Sequence, residues 1–377
     1  MIHSPGLLLT ILAFALVIGP LVFLHELGHY LAGRLFGVKA EVFSIGFGKE
    51  LFGITDKRGT RWKFCALPLG GYVKFAGDMN AASQPDADWL MLPPEERAQA
   101  FPGKPVWQRA IIVAAGPVMN FLIAIVILAG FALAHGVNET PPIIGSIQPG
   151  SAAARAGLVP SDRIVALGGR SIESFADLAD FTLLRPGEKI TVNYLHGNAP
   201  MQSEITIGAV VQRDRFGGEF RIGRLGIGPT APVLRRISVI EAPFQAVKMT
   251  GEILRTTLDG LGQIVTGRRS VDELGGPLRI AKVSGQALTL GPSAMIWWVA
   301  MISINLGFIN LLPVPMLDGG HLFFYAIEAV RRKPVEPQVQ EWAFRGGLAA
   351  LLALMLLVTF NDLGSFGLWN SLSGLIG

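Results

Sequence analysis

The chain has 377 residues, 50% of them hydrophobic and only 16% charged, with a net charge of +4, whereas soluble domains usually carry about 25% charged residues. Mean hydropathy is +0.46, and no Lys, Arg, Asp or Glu occurs in Met1–His25, Ala110–Asn138, Val283–Leu317 or Gly346–Asn361. Each run holds, or nearly holds, the ~20 apolar residues that cross a bilayer, so a soluble globular protein is excluded. The modest charge, with no aromatics interleaved among Lys/Arg clusters, argues against nucleic acid as a partner.

The first span is expected over residues 1–33. No Lys or Arg precedes Arg34, and His25-Glu26 interrupts the run where a small-residue cleavage site would stand, so a retained helix is expected rather than a signal peptide. Its end carries His25-Glu26-Leu27-Gly28-His29. On a helix, His25 and His29 lie one turn apart on one face. That spacing lets two imidazoles reach one Zn²⁺, with Glu26 beside them as general base. HExxH is a short pattern that often means nothing, but three ionisable residues at membrane depth are expensive and mark functional sites.

Residues 34–106 form the next segment. Trp62–Phe75 reads as strand, its Gly70-Gly71 suiting a bulge or close approach, and with the glycine-punctuated Gly46-Phe-Gly48 it predicts a small β-hairpin. An ordinary cytoplasmic hairpin is the plain alternative to one dipping toward the membrane site. Cys65, the only cysteine, is expected in a polar loop with no histidine nearby, which excludes an internal disulfide framework and disfavours a structural zinc site. Residues 76–105 are rich in Pro, Ala and charge and read as a loosely ordered connector. The second span is expected over 107–135.

Between the second and third spans, 136–208 reads as one domain and 209–290 as a segment following it. In the latter, Phe244, Val247, Leu254, Leu258, Leu261 and Val265 recur at helical spacing, with Lys248, Glu252, Arg255 and Asp259 between them. This predicts an amphipathic helix, either lying on the membrane or packed under the preceding domain.

The third span, 291–330, is expected to be broken. Its run ends in Asn310-Leu-Leu-Pro313-Val-Pro315-Met-Leu-Asp318-Gly319-Gly320-His321. Prolines at i and i+2 break a helix, and irregular backbone at membrane depth survives only where it is buried or lines a wet cavity. A catalytic zinc needs a third protein ligand and an open position. Asp318 is the natural candidate and His321 its rival; the plain alternatives are an N-cap for Asp318 and a solvated helix-end residue for His321. Asn310 is placed to donate to an oxyanion. A connector, 331–345, precedes a fourth span and tail, 346–377.

Residues 31–109 hold eleven Lys/Arg, and the last connector holds Arg331, Arg332, Lys333 and Arg345. The positive-inside rule puts these two segments in the cytoplasm and both termini outside. The long middle segment is then outside despite its seventeen Lys/Arg, because long domains translocate largely regardless of charge.

His25–His29 with Asn310–His321 resembles the site-2 protease family of intramembrane zinc metalloproteases, on its bacterial regulator-of-sigma-E branch. Phe43-Ser-Ile-Gly-Phe-Gly48, Leu67-Pro-Leu-Gly-Gly-Tyr-Val-Lys74, Ala115-Gly-Pro-Val-Met-Asn120, Gly276-Pro-Leu-Arg-Ile-Ala-Lys282 and Phe360-Asn-Asp-Leu363 fit the same family, so the resemblance covers nearly the whole chain. It implies one zinc ion held by His25, His29 and Asp318, Glu26 as the catalytic glutamate, and Asn310 near the substrate carbonyl. It also implies a membrane-reentrant β element, whose Gly70, Gly71 and Tyr72 are expected to hold substrate by strand addition. Implied substrates are single-span membrane proteins, such as an anti-sigma factor already trimmed by another protease in a stress response, or remnant signal peptides. The implied location is the bacterial inner membrane, with the site toward the cytoplasmic side.

Pro142–Ile207 resembles a PDZ domain through Ile144-Gly-Ser-Ile-Gln-Pro-Gly-Ser-Ala-Ala-Ala-Arg-Ala-Gly157-Leu158 and Asp162-Arg-Ile-Val-Ala-Leu-Gly-Gly-Arg170. Ala156, Gly157 and Leu158 would form its peptide-binding loop, capturing a C-terminal peptide through backbone N–H groups; a size filter on substrates is the alternative. The branch carries two tandem PDZ domains, but Gly208–Glu273 shows no second such loop, so one is expected, in the periplasm. The expected fold is thus a polytopic α-helical membrane protein with four transmembrane helices, a membrane-associated β-hairpin and one external α/β PDZ domain.

Two other functions compete. A secondary transporter would show paired broken helices in repeated halves, and the sequence has no internal repeat. A catalytically dead PDZ receptor would lack a ligand or the glutamate, yet His25, Glu26, His29 and Asp318 are all present.

Overall fold

The computed structural model describes residues 6–78, 93–183, 185–213, 219–266 and 275–365. The chain divides into two compact units: Met1–Phe131 with Pro243–Ile264 and Arg269–Gly377, and Ala132–Ala242 with Val265–Arg268.

Helix α1 (Leu7–Leu35) opens the first unit. At 1.5 Å per residue it is about 44 Å long, more than the ~30 Å hydrocarbon core of a bilayer. Ala13, Val17 and Leu21 face other helices while Leu7, Leu8, Leu12 and Leu16 face outward. A helix apolar on every side suits lipid. Strands β1 (Ala40–Thr55) and β2 (Arg61–Phe75) follow. Their register doubles back: Val42, Phe43, Ser44 and Ile45 pair with Arg61–Phe64 along one edge and with Gly71–Lys74 along the other. The turn that allows this runs through Gly46 and Gly48, at φ +87° and +85°; a Cβ at Gly46 would lie 2.7 Å from the Leu67 carbonyl oxygen. The predicted hairpin is therefore a folded ribbon in which Gly71–Lys74 borders the first half of β1. Cys65 corrects the sequence reading, being buried in β2 with its Sγ 3.4 Å from Ser44 Oγ.

Of the predicted loose connector 76–105, residues 79–92 lie outside the described residues. The remainder is structured: α2 (Pro94–Gln99) leads into a single 3₁₀ turn, Phe101–Gly103. Phe101 is buried and stacks on Phe75, ring centroids 5.5 Å apart, in a core with Val38, Phe43 and Ile112. One aromatic anchor outweighs the turn-rich composition around it. Helix α3 (Val106–His135) then matches the second predicted span.

The second unit holds, in chain order, β3 (Val137–Glu139), β4 (Ile144–Ile147), α4 (Ala152–Arg155), β5 (Arg163–Leu167), β6 (Arg170–Ser171), α5 (Phe175–Leu183), β7 (Lys189–His196), β8 (Ala199–Thr206), β9 (Gly208–Arg213), β10 (Glu219–Arg224), β11 (Ile227–Pro229) and β12 (Val233–Arg235). A four-stranded sheet, order β6-β5-β7-β8, covers a core that includes Ile164, Leu167, Leu178, Phe181, Val192 and Ile205. The predicted domain end at residue 208 is overturned. Leu225 lies in the same core, β11 pairs with β4, and β12 pairs with β3 through Leu234↔Asn138. Pairings this distant in sequence leave no local pattern to read.

The chain returns through α6 (Glu241–Val265), the predicted amphipathic helix. Its packing lies within the first unit: Ala246, Met249 and Ile253 pack on Ala124, Leu128, Ala300 and Ile304, and Phe244 and Val247 stay exposed. Small residues decide the contact because they allow helices to approach closely. A second helix that the sequence reading did not separate, α7 (Pro277–Leu290), lays Ala287 against Ala13 and Val17 of α1. Asp362 caps it, accepting the Gly276 and Arg279 amides at 3.2 and 3.0 Å.

The third span breaks as predicted. Helix α8 (Pro292–Leu311) starts at a proline after Gly291 at φ +106° and stops before the two prolines; α9 (Asp318–Arg331) follows after six intervening residues. Cβ atoms at Gly319 and Gly320 would meet the Leu312 and Val314 carbonyl oxygens at 2.2 and 2.5 Å, so only glycine lets the intervening loop fold onto α9. Helix α10 (Pro337–Ser365) begins earlier than the predicted 346. Pro337 opens it, and Glu341 and Arg345, an i,i+4 pair at 2.6 Å, lie within it rather than in a connector. Of the predicted fourth span and tail, 346–377, residues 366–377 lie outside the described residues. Among the described residues, four helices are thus long and apolar enough to cross a membrane.

Candidate active site and metal centre

The site is assembled at the C-terminal half of α1. Nε2 of His25 and Nε2 of His29 are 3.2 Å apart. Asp318, in the first turn of α9, brings Oδ2 to 3.2 Å from His25 Nε2 and Oδ1 to 3.5 Å from His29 Nε2. Zinc–ligand bonds of about 2.0–2.1 Å imply a tetrahedron edge of roughly 3.3–3.4 Å. The three donors already stand at that spacing, and Asp318 Oδ2 is buried without a hydrogen bond. Donor type, spacing and the orphaned oxygen all fit a zinc ion. His321 lines the same cavity but packs its ring on Phe344, centroids 4.8 Å apart; among the described residues the ligand cluster is His25, His29 and Asp318.

Helix α3 shapes the cluster. His29 Nδ1 donates to the Ile112 carbonyl at 2.9 Å, which leaves its Nε2 lone pair facing the cluster. A Cβ at Gly28 would lie 2.4 Å from the Ala115 carbonyl oxygen, and one at Gly116 would lie 2.2 Å from His29 Nε2. The two glycines therefore let α1 and α3 touch and let the His29 ring lie between them. Asn120 is fully buried, with Nδ2 3.0 Å from His25 Nδ1. Arg109, near the start of α3, pairs with Glu328 of α9 at 2.7 Å and lies over the Tyr325 ring at 4.9 Å. That pair holds the helix carrying Asp318.

The predicted Glu26, Gly70, Gly71, Tyr72 and Asn310 line one cavity of about 600 Å³ together with the cluster. Glu26 is buried and bonded to the Val73 backbone of β2. A Cβ at Gly71 would lie 2.8 Å from both Glu26 Cγ and the Ser44 carbonyl oxygen, so the strand and the glutamate are in direct contact. Chemically this is a carboxylate and a carboxamide beside three donors able to hold a metal, walled by a strand.

Ala156, Gly157 and Leu158 lie elsewhere, in the second unit. The Ala156, Gly157 and Leu158 amides donate to the Ala152, Ala154 and Ala153 carbonyls at 3.1, 3.2 and 3.1 Å. These donors close α4, which corrects the expectation that they capture a peptide carboxylate. Asn120 and Gly116 were missed as site residues, although an Asn inside the uncharged second span was a legible signal, because buried amides need partners.

The pattern of peptidase family M50 matches residues 13–354. The chain belongs to that family. It is 46% identical over 360 residues to the protein of Agrobacterium fabrum named "Putative zinc metalloprotease Atu1380", covering 94% of this chain and 96% of that one. It is 36% identical to metalloprotease MmpA of Caulobacter vibrioides, covering 98% and 99% of the two chains. This M50 peptidase is a metalloprotease, and zinc is its cofactor. The PDZ domain of an SdrC-like protein from Listeria monocytogenes aligns with 25% of this chain and 92% of its own, at 23% identity and a TM-score of 0.20, too weak a likeness to carry an argument.

Proposed function

We propose that this M50 metalloprotease is an intramembrane endopeptidase that hydrolyses peptide bonds within the membrane segments of single-span proteins. The observation that carries the reading is the cluster itself: His25, His29 and Asp318 at tetrahedral spacing, with Glu26 alongside, on a helix apolar enough to cross a bilayer. These three residues hold one zinc ion. When bound, zinc polarises the scissile carbonyl and brings the pKa of its water near 7. Glu26 takes the proton of the attacking water and returns it to the departing amide nitrogen. Asn310 donates to the carbonyl oxygen as charge builds there.

A helical substrate hides its carbonyls in i→i−4 hydrogen bonds and must be unwound to react. We assign its extended form to the backbone at Gly70, Gly71 and Tyr72, which lines the cavity in β2 and suits strand addition. The supporting contact is that between Gly71 and Glu26, which sets strand and base side by side. Natural substrates are trimmed anti-sigma factors or signal-peptide remnants, in the bacterial inner membrane, with both termini and the 132–242 unit in the periplasm and the reacting groups toward the cytoplasm. That unit acts as a single PDZ domain that filters substrates by the size of their outer portion, a role that does not require the amides consumed by α4.

Purified protein in detergent, given a single-span substrate with fragments mapped by mass spectrometry, tests the reading. Wild type is expected to cut inside the apolar segment and to stop when zinc is chelated. Glu26→Gln should keep zinc and lose roughly 10²–10⁴ in rate, and Asp318→Ala should lose zinc. Equal cutting by Glu26→Gln would overturn the mechanism, and cuts confined to flanking loops would overturn the intramembrane assignment.

A further inference from the structure

The folded ribbon leaves one cation without an anion beside the cavity. Val42–Ile45 is its middle strand, with Arg61–Phe64 along one edge and Gly71–Lys74 along the other. Ser44 stands opposite Lys63 on one side and opposite Tyr72 on the other, and residues directly opposite in an antiparallel pair share a face. Lys63, Ser44 and Tyr72 therefore form one row. Lys63 reaches across Ser44 and brings Nζ to 5.3 Å from the centroid of the Tyr72 ring. Phe47 holds that ring in place, stacking on it at 5.8 Å with 19° between the planes.

The neighbouring carboxylates are already paired, Glu50 with Arg61 and Glu41 with Lys74. Among the described residues Lys63 forms no ion pair, although it is half-buried. Tyr72 lines the cavity that contains Glu26 and the histidine–aspartate cluster. Gly71 turns its other face to α1, since a Cβ there would meet Glu26 Cγ and Val22 Cγ1. Successive residues of a strand face opposite ways, and a substrate strand added along Gly70–Tyr72 alternates with them. Its residue level with Gly71 faces Glu26, and its residue level with Tyr72 faces the row that ends in Lys63. Cβ atoms across such a pair are about 4.5–5.5 Å apart, so a carboxylate on that residue comes within reach of the ammonium held over Tyr72.

We propose that Lys63 is a specificity residue that receives a substrate carboxylate, selecting single-span proteins with Glu or Asp at the position of the unwound segment that lies level with Tyr72. The inference rests on the reading of β2 as the strand that holds substrate, and deepens it by naming the substrate class. A carboxylate is expensive inside an apolar segment, so this contact separates the few spans that carry one near the cut from ordinary apolar spans.

The test is a set of single-span substrates in detergent, with Glu, Gln or Lys placed in turn at each position around the mapped cut. kcat/KM is measured for wild type, Lys63→Met and Lys63→Glu. Wild type is expected to prefer Glu over Gln by about 10- to 100-fold, the worth of a hydrogen bond to a charged group, at one position and not at the positions beside it. Lys63→Met should erase that preference. Lys63→Glu should favour Lys at the same position, a gain that misfolding cannot produce. If wild type shows no such preference, if adjacent positions share it equally, or if it survives in Lys63→Met, the inference fails, while cuts inside the apolar segment leave the endopeptidase reading standing. If wild type cuts no member of the set, that reading fails and the inference falls with it.

Discussion

A methyl group at Gly116 would sit 2.2 Å from Nε2 of His29, while one at Gly130, on the same helix, would meet nothing within 4 Å. The two alanine variants therefore form an internal control. Overpacking of this kind costs about 1–3 kcal/mol, which at Gly116 displaces a proposed zinc donor; Gly116→Ala is expected to lose about 5- to 150-fold in zinc affinity, and Gly130→Ala to match wild type. Gly71 separates a different quantity. Its Cβ would press on Glu26 Cγ and the Ser44 carbonyl oxygen, neither of which is a zinc donor, so Gly71→Ala should retain zinc and lose turnover. Zinc content and cleavage rate measured on the same preparations check both, and loss of zinc from Gly71→Ala would contradict the assigned division of roles. At this scale the sequence was informative where chemistry is intrinsic to residue type. His25, Glu26, His29 and Asp318 declare themselves because ionisable groups at membrane depth need a reason. Gly116 does not, because its role exists only when α1 lies against α3.

Helix α9 carries Asp318 at one end and Glu328 near the other, and the Arg109–Glu328 pair ties that far end to α3. Both side chains are mostly buried, so removing one partner strands a charge and costs about 3–5 kcal/mol, whereas replacing both with apolar groups can be nearly neutral. Arg109→Met is expected to lower the melting temperature and weaken zinc binding, and Arg109→Met/Glu328→Leu to recover most of both. Equal damage from the single and double variants would show that the pair does not hold α9. Elements were legible in proportion to how local their cause is. The break between α8 and α9 follows from Pro313 and Pro315, and α6 from its periodic apolar residues. The doubled register of β1, the contact face of α6 and the start of α10 depend on partners far along the chain. The early start of α10 was hidden because its first turns carry the exposed Glu341–Arg345 pair, charges that read as a connector.

The proposed zinc donors come from α1 and α9, nearly 300 residues apart in sequence, and both helices belong to the first compact unit. An ion bound there links distant parts of one unit and has no donor in the other, whose core is built separately around Ile164, Leu167, Val192 and Ile205. Ligand binding stabilises only the species that binds, by about 2.7 kcal/mol when free ligand is 100 times its Kd. Calorimetry of the detergent-solubilised chain is therefore expected to show two transitions, with only one responding to metal. Chelation should lower the melting temperature of the first unit and leave that of the 132–242 unit in place. Asp318→Ala should abolish the metal dependence without moving the second transition. A single transition shifted as a whole by zinc would mean that the two units unfold together, and the separation of a metal-dependent unit from an independently folded 132–242 unit would have to be abandoned.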